Sequence, residues 1–265
     1  MKEFETIDIL GVKINRLTQT ELMGIIKDSL SNKIRTKIFT PNTEMLSKAT
    51  REESLKILLN SADISVADGI GVVIASKILG IPLSERLPGI EIGEEIMELS
   101  ANKQYKVFLL GSKDSVLKKA KFNLERKYKD LKICGMHEGY FDVTDLENEK
   151  VINAINDSCA DILFVCMGYP RQEQWINDNF QKLSVVKVAI GLGGSIDVWS
   201  GETQRAPKIF RALYLEWLWR MCNDIKRVRF LTLIPSYFVN VCKQRRSFMK
   251  NDGKNAHIQP FFNKK

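Results

Sequence analysis

The fold is indicated most clearly by Ile162-Leu163-Phe164-Val165-Cys166-Met167, an apolar run that leads directly into Gly168-Tyr169-Pro170-Arg171-Gln172-Glu173. A short apolar run that is rich in β-branched residues and bounded by a turn is typical of a buried strand. Residues 172–179 then have the apolar spacing of a helix that covers a sheet, and residues 185–190 form the next apolar run. This order predicts a βαβ unit in a parallel sheet.

The same alternation extends over most of the chain. Further strands are predicted at residues 37–40, 64–67, 106–110 and 132–136, and further helices at 52–61, 90–103 and 115–128. A hairpin is expected at residues 6–15, followed by a helix whose Thr18 and Glu21 have the spacing of a capping box. We therefore predict an α/β fold, a doubly wound and mostly parallel sheet with helices on both faces.

Composition excludes several classes of protein. The 265 residues are 44% hydrophobic and 27% charged, which is enough apolar material for a large core and excludes a disordered chain. The five cysteines form no Cys-x-x-Cys pair, and the only histidines are His137 and His257, so a zinc site or a Ser-His-Asp triad has little to build on. Residues 1–8 lack the apolar stretch of a secretory signal. We therefore expect a cytoplasmic protein.

The positive charge is concentrated at the C-terminus. Residues 208–265 contain 13 Lys and Arg against 3 Asp and Glu, whereas residues 1–207 contain 27 against 29. Aromatic and basic residues alternate there, as in Trp217, Trp219 and Arg220, which is typical of a segment at a membrane interface. A helical pair packed on the body would have a similar composition. We predict a domain at residues 1–207 and a basic, amphipathic helical appendage at 208–265 that binds the membrane and closes the active site.

Polar residues and glycines follow the predicted strands at the edge where ligands bind in such sheets. Thr40 and Asn42 follow the first of these strands, Asp68 follows the second, and the last strand runs into Gly191-Leu192-Gly193-Gly194. Glycines at strand exits let backbone amides approach an anion closely, which suits a diphosphate. Turn formation alone would also explain the glycines, and helix capping would explain Thr40 and Asn42.

Asp68 opens a glycine-rich turn at this edge, where a general base would lie. The alternative is an aspartate that caps the following helix. Arg86 lies in a loop from which it could reach a phosphate, although a surface arginine is the commoner case. Gln172 and Glu173 could bind sugar hydroxyls or could only occupy the first turn of their helix. Asp197 could accept from a nucleobase or ribose, or it could be a turn aspartate. No Asp-x-Asp follows a strand, so we expect neither a metal ion nor another cofactor.

Two alternatives from other functional classes stay open on the residues alone. A nicotinamide-dependent oxidoreductase would need a complete Gly-x-Gly-x-x-Gly pattern, but the third glycine position falls on Ile196 after Gly191 and on Ile74 after Gly69. A non-catalytic module that binds membrane or nucleic acid would explain the basic tail, but it would leave the polar strand exits without a role.

Several motifs in the same order resemble the WecG/TagA/CpsF family, glycosyltransferase family 26. They are Thr40-Pro41-Asn42, Ala67-Asp68-Gly69-Ile70-Gly71-Val72, Ser84-Glu85-Arg86, Gly139-Tyr140-Phe141, Gly191-Leu192-Gly193-Gly194-Ser195, Arg205-Ala206-Pro207 and Glu216-Trp217-Leu218-Trp219-Arg220. The resemblance implies a Rossmann-like, inverting and metal-independent transferase. Its donor would be UDP carrying an N-acetylmannosamine-type sugar, and its acceptor undecaprenyl-diphosphate-linked N-acetylglucosamine, at the inner face of the membrane, in teichoic acid or capsule synthesis.

The resemblance also implies roles for individual residues. Asp68 matches the family's proposed base, Thr40 and Asn42 match its polar residues on the substrate side, and Arg86 matches its loop arginine. Gln172 and Asp197 match positions near the donor, and Arg220 and Arg227 match basic residues of an appendage that neutralises the leaving diphosphate. The family's Thr-Gly-Ile-Asp reads Pro88-Gly89-Ile90-Glu91 here, which leaves the donor sugar open. We expect no nucleic acid among the partners, and whether the chain forms a homo-oligomer stays open.

Overall fold

The computed structural model describes residues 4–143, 146–223 and 232–255. Six strands form one parallel sheet in the order β4-β3-β8-β7-β5-β6, and two further strands, β1 and β2, form a separate antiparallel hairpin. The strands are β1 (Thr6–Ile9), β2 (Val12–Asn15), β3 (Thr36–Phe39), β4 (Ile64–Ser65), β5 (Lys106–Gly111), β6 (Lys132–His137), β7 (Ile162–Cys166) and β8 (Val188–Gly191). The predicted doubly wound α/β fold is confirmed.

Twelve α-helices lie within the described residues, with a short 3-10 helix at Phe180–Lys182. They are α1 (Gln19–Asn32), α2 (Thr43–Ala49), α3 (Glu53–Asn60), α4 (Ile70–Leu79), α5 (Gly89–Lys103), α6 (Asp114–Lys127), α7 (Leu146–Asp157), α8 (Arg171–Asn179), α9 (Ser195–Ser200), α10 (Lys208–Ala212), α11 (Glu216–Asn223) and α12 (Leu233–Asn255). None of these described helices combines the length and the apolar composition needed to cross a bilayer.

Helices cover both faces of the sheet, and alternate side chains of each strand pack against opposite faces. In β5, Val107 and Leu109 belong to a core cluster that also contains residues of α1, α5, α6 and α9. Phe108 and Leu110 belong to a second cluster, built with α7 and α8. The runs that read as continuously apolar in the sequence are therefore central strands with helices on each side.

The predicted capping box forms at the start of α1. The Thr18 hydroxyl accepts from the Glu21 backbone N–H at 3.2 Å, and the Glu21 carboxylate accepts from the Thr18 N–H at 2.8 Å. These two bonds satisfy donors that a helix start otherwise leaves without partners, and they end the turn that follows β2. Local sequence is enough to specify this boundary.

The C-terminal segment contributes to the body in its described part. Helix α12 lies against α2 and α4, with Tyr237 and Val241 fully buried in a third cluster that also holds the β1-β2 hairpin. Arg245 donates to the Leu79 carbonyl at 2.8 Å and so satisfies the end of α4. Packing on the body, one of the two interpretations of this segment, therefore holds for the inner face of α12. The division at residue 207 stays a prediction.

Candidate active site

The site lies at the carboxyl edge of the sheet, between β3 and β8. The chain leaving β3 enters α2, which packs with the hairpin and α12, whereas the chain leaving β8 enters α9 on the opposite side of the sheet. Where neighbouring strands send their connections to opposite sides, a crevice opens beyond their ends. This topology brings together residues that are 150 positions apart in the chain.

A cavity of about 310 Å³ opens at this edge. One wall comes from the strand exits and the start of α4, and the other comes from the C-terminal helices. The lining residues are Asn42, Thr43, Glu44, Asp68, Gly69, Ile70, Gly71, Ile74, Arg86, Tyr214, Glu216, Trp217, Met221, Leu233, Ile234 and Phe238. The structure thus brings together three of the predicted site residues, Asn42, Asp68 and Arg86, in one cavity with polar and apolar parts.

Asp68 is held at the cavity by the start of a helix other than its own. Its carboxylate accepts from the backbone N–H of Gly89, the first residue of α5, at 3.2 Å. The residue that caps α4 is Gly69, and it makes no side-chain capping bond. Asp68 therefore precedes the capping position of α4 rather than occupying it. A helix N-terminus favours a carboxylate there, so α5 holds Asp68 in the orientation that faces the cavity.

Thr40 and Asn42 both bind backbone groups. The Asn42 side chain accepts from the N–H groups of Glu44 and Met45 at 3.0 and 3.2 Å, so it caps α2 while lining the cavity. The buried Thr40 hydroxyl donates to the Gly191 carbonyl at 3.2 Å. Thr40 therefore joins the exits of β3 and β8, whereas Asn42 is the one of the two that lines the cavity.

Arg86 forms a buried contact with the C-terminal segment. Its guanidinium lies 3.8 Å from the Glu216 carboxylate, and the two side chains are 12% and 9% exposed. The ring of Tyr214 lies 5.4 Å from the same guanidinium. A buried ion pair becomes costly when one partner is removed, because the other charge is left uncompensated. The pair therefore ties α11 to the loop before α5 at the cavity wall.

The glycine loop, residues 191–194, is shaped by Gln172. Its side-chain oxygen accepts from the Gly193 N–H at 2.9 Å, and a Cβ added to Gly191 would come within 2.8 Å of its nitrogen. Gly191 thus makes room for Gln172, while Gly193 adopts a φ of 53° with open space around it. Gln172 is buried. The residues of this loop that are open to a ligand are Gly193 and the exposed Gly194.

Asp197 connects two strand exits. It lies in the first turn of α9, where its carboxylate accepts from the hydroxyl of Ser112 at 2.7 Å. Ser112 follows β5 with a φ of 54°, and its backbone carbonyl accepts from the Gly139 N–H at 2.9 Å. Asp197 is therefore more than a turn residue, since it fixes the exits of β5 and β6 relative to α9 beside the glycine loop.

Glu173 is the most unusual charged group near the site. It is 0% exposed, its Oε1 accepts from the Gln172 amide at 2.7 Å, and its Oε2 has no hydrogen-bond partner within the described chain. Burial raises the pKa of the Glu173 carboxyl to about 7, and the bonds from Gln172 and from its own backbone N–H offset part of that effect. The sequence indicates Glu173 as a helix-start residue that could bind sugar hydroxyls, but it does not reveal this burial.

Sequence reasoning missed Glu216 as a site residue, although it is one of only three acidic residues in the basic tail. An acidic residue within a strongly basic segment is the sequence signal that could have identified Glu216. Arg220 belongs to α11, but its side chain and the whole of Arg227 lie outside the described part of the structure. Their predicted contacts with a diphosphate stay predictions.

The raised pKa of Glu173 predicts a pH-dependent stability. Because the folded-state pKa of about 7 lies above the unfolded value, the native state binds the extra proton, and the free energy of unfolding should fall as pH rises from about 4.5 to about 7. Glu173→Gln should remove this fall and, well above pH 7, be more stable than wild type by about 3 kcal/mol. Urea unfolding measured between pH 4.5 and 8 tests this.

The matched control is Glu98→Gln, which neutralises an exposed glutamate of α5. The difference in unfolding free energy between this control and wild type should change little with pH. A stability gap between Glu173→Gln and wild type that stays constant across the range would contradict the assignment of a proton to native Glu173.

Comparison with known proteins identifies the family of the chain. A model of the glycosyl transferase WecG/TagA/CpsF family matches residues 7–251. Relatives from Staphylococcus aureus strains MW2 and NCTC 8325 are each 37% identical over 246 residues, which cover 92% of this chain and 95% of each relative. Both bear the name N-acetylglucosaminyldiphosphoundecaprenol N-acetyl-beta-D-mannosaminyltransferase. The motif resemblance is thus confirmed over almost the whole chain, which belongs to the WecG/TagA/CpsF family of glycosyltransferases.

Proposed function

We propose that this glycosyltransferase moves an N-acetylmannosamine-type sugar from UDP to undecaprenyl-diphosphate-linked N-acetylglucosamine, in teichoic acid or capsule synthesis. The observation that carries the proposal is the cavity that Asp68 and Arg86 share. It is lined by the Asp68 carboxylate, by the Arg86 guanidinium and by apolar side chains of the C-terminal helices. An acceptor that joins a sugar diphosphate to a lipid needs both the charged and the apolar groups. The printed names of the two relatives describe such an acceptor.

Asp68 is the cavity carboxylate that we assign as the base, because Glu44 pairs with Lys48 and Glu216 pairs with Arg86. Asp68 removes the proton from the acceptor hydroxyl while the hydroxyl oxygen attacks the anomeric carbon, and the bond from that carbon to UDP breaks. One displacement inverts the anomeric centre. Double displacement would require a second, nucleophilic carboxylate close to the sugar. Asn42 lies beside Asp68 in the cavity and can orient the substrate, and Thr40 holds the adjoining strand exits together.

The leaving diphosphate is neutralised by the protein itself in this proposal. The exposed Gly194 backbone lies at the start of α9, whereas the Gly193 N–H is already bonded to Gln172, and Arg86 lines the cavity. Arg220 and Arg227 complete the set when the appendage closes over the donor. Aligned amides and guanidinium groups stabilise developing negative charge in a site that excludes water.

We propose attachment to the inner face of the membrane, and exposed apolar side chains in the segment that lines the cavity support attachment to a membrane surface. Ile209 and Leu213 are 72% and 61% exposed, and the following Tyr214 and Trp217 are half-exposed while also lining the cavity. Exposed apolar groups within a basic segment are typical of an interfacial anchor. Docking there would bring the cavity to the lipid-linked acceptor, so attachment and activity are coupled.

Replacing Asp68 by Asn should remove catalysis while keeping the fold. The amide oxygen of Asn can still accept from the Gly89 N–H, but it cannot take a proton at neutral pH. Turnover of UDP-N-acetylmannosamine with a short lipid-diphosphate acceptor should fall by about two to four orders of magnitude. Asp157→Asn, at an exposed aspartate of α7, is the control and should keep wild-type turnover. Near-normal turnover of a folded Asp68→Asn protein would rule out the base.

Transfer should persist in the presence of a chelator. The proposed site has no Asp-x-Asp after a strand, and the diphosphate is neutralised by amides and arginines. Initial rates measured with excess EDTA should match those measured with magnesium or manganese. Loss of activity in EDTA that either metal restores would show that the metal-independent mechanism is wrong.

Removing exposed apolar side chains from the appendage should weaken membrane binding. The double variant Ile209→Ser and Leu213→Ser should sediment less with phosphatidylglycerol vesicles and lose transfer to a vesicle-borne acceptor, yet keep transfer to a soluble short-chain acceptor. The control is Ile57→Ser with Phe122→Ser, which removes side chains of similar exposure, 65% and 64%, from α3 and α6. Equal sedimentation of both double variants would exclude α10 and its neighbours as the anchor.

A further inference from the structure

Glu173 is a buried carboxylate that the proposed reaction does not use. It is fully buried in the first turn of α8, with one oxygen bonded to Gln172 and the other without a hydrogen-bond partner in the described chain. Removing a carboxylate from water costs several kcal/mol unless its hydrogen bonds are replaced. A leucine of similar size would avoid this cost. Stability alone therefore does not explain a glutamate at this position.

Glu173 is linked to the glycine loop through hydrogen bonds of the Gln172 side chain. A glutamine amide can be placed in two orientations that exchange its oxygen and its nitrogen. In the observed orientation the nitrogen donates to Glu173 and the oxygen accepts from the Gly193 N–H at 2.9 Å. The reverse orientation would set the amide nitrogen against the Gly193 N–H and the amide oxygen against the Glu173 oxygen. Both contacts would then be unfavourable.

We propose that Glu173 is a positioning residue for the donor side of the site: by accepting from Gln172 it selects the amide orientation that holds the Gly193 N–H and sets the backbone of the glycine loop. The part of this proposal that concerns donor binding rests on the proposed function, in which the diphosphate of UDP lies at this loop. Gly191 carries no side chain, and Gln172 occupies the space that a Cβ there would need. The loop backbone and the Gln172 side chain therefore fit only as a unit.

Two neutral variants separate positioning from simple packing. Glu173→Leu and Glu173→Gln both remove the charge at similar volume, but only Gln can accept from Gln172. Hydrogen–deuterium exchange of a peptide covering residues 189–194 should become about tenfold faster in Glu173→Leu and change less than about threefold in Glu173→Gln, as expected for loss of one hydrogen bond. Unchanged exchange in Glu173→Leu would overturn the coupling.

Binding of UDP to the full-length chain tests the consequence for the donor. In Glu173→Leu the Kd for UDP and the KM for the UDP-sugar should rise about tenfold, the equivalent of one lost hydrogen bond, whereas the KM for the acceptor should change less than about twofold. Glu173→Gln should keep the wild-type Kd for UDP, because Gln can still accept from Gln172. A packing role alone would lower the melting temperature of Glu173→Leu and leave the Kd of the folded protein unchanged, which would overturn the donor role.

A double-mutant cycle shows whether Glu173 acts through Gln172. Gln172→Leu alone should raise the Kd for UDP as much as Glu173→Leu does, and the double variant should be no worse than either single variant. Additive losses would mean that Glu173 acts by another route and would overturn the proposal. If wild-type protein does not bind UDP, the proposed function and the donor role both fail, and the exchange measurement still decides whether Glu173 orders the loop.

Discussion

The parallel pairing of β3 with β8 is the constraint on which the site depends. The register pairs Thr36 with Val188 and Ile38 with Ile190. The strands of this sheet that come first and last along the chain, β3 and β8, therefore end side by side. Because parallel strands present their carboxyl ends at one edge, the loops after residue 39 and after residue 191 meet there. The Thr40 hydroxyl then joins them through the Gly191 carbonyl. A slip in this register would separate the glycine loop from the cavity.

The C-terminal segment has two structural roles in its described part. Helix α12 completes the core around the hairpin and α4 through Tyr237 and Val241, whereas α11 forms a cavity wall and contacts Arg86 through Glu216. The two roles connect stability to function, since α12 packs into the core through Tyr237 and lines the cavity through Phe238. The same segment exposes apolar side chains around the cavity mouth. Family membership favours a transferase over the nicotinamide and non-catalytic alternatives.

Several charged groups near this site are buried, and removing them from water lowers the free energy of unfolding. Arg86 and Glu216 pair with little access to water, and the Glu173 carboxyl has its pKa raised by burial to about 7. Proteins keep such groups where binding or catalysis requires fixed charges and fixed donors. In this chain they surround the glycine loop and Asp68, and each holds a neighbouring backbone segment or helix in place. The arrangement is pre-organised, with polar groups oriented by bonds already present without substrate.

The sequence alone was sufficient for the fold class, the order of strands and helices and the capping box of α1, because these depend on periodicity and on residues close together in the chain. It also indicated Asp68 and Asn42, since polar residues after parallel strands must share one edge, and it indicated Arg86 through its loop position and the family resemblance. Only the tertiary structure decided that Gly89 anchors Asp68, that Glu216 pairs with Arg86 and that Gln172 and Glu173 support the glycine loop. The partners in the first two contacts lie 21 and 130 positions apart, and Gln172 lies 21 positions from Gly193. Local pattern does not encode such contacts, because they arise only when strand register and helix packing bring the segments together.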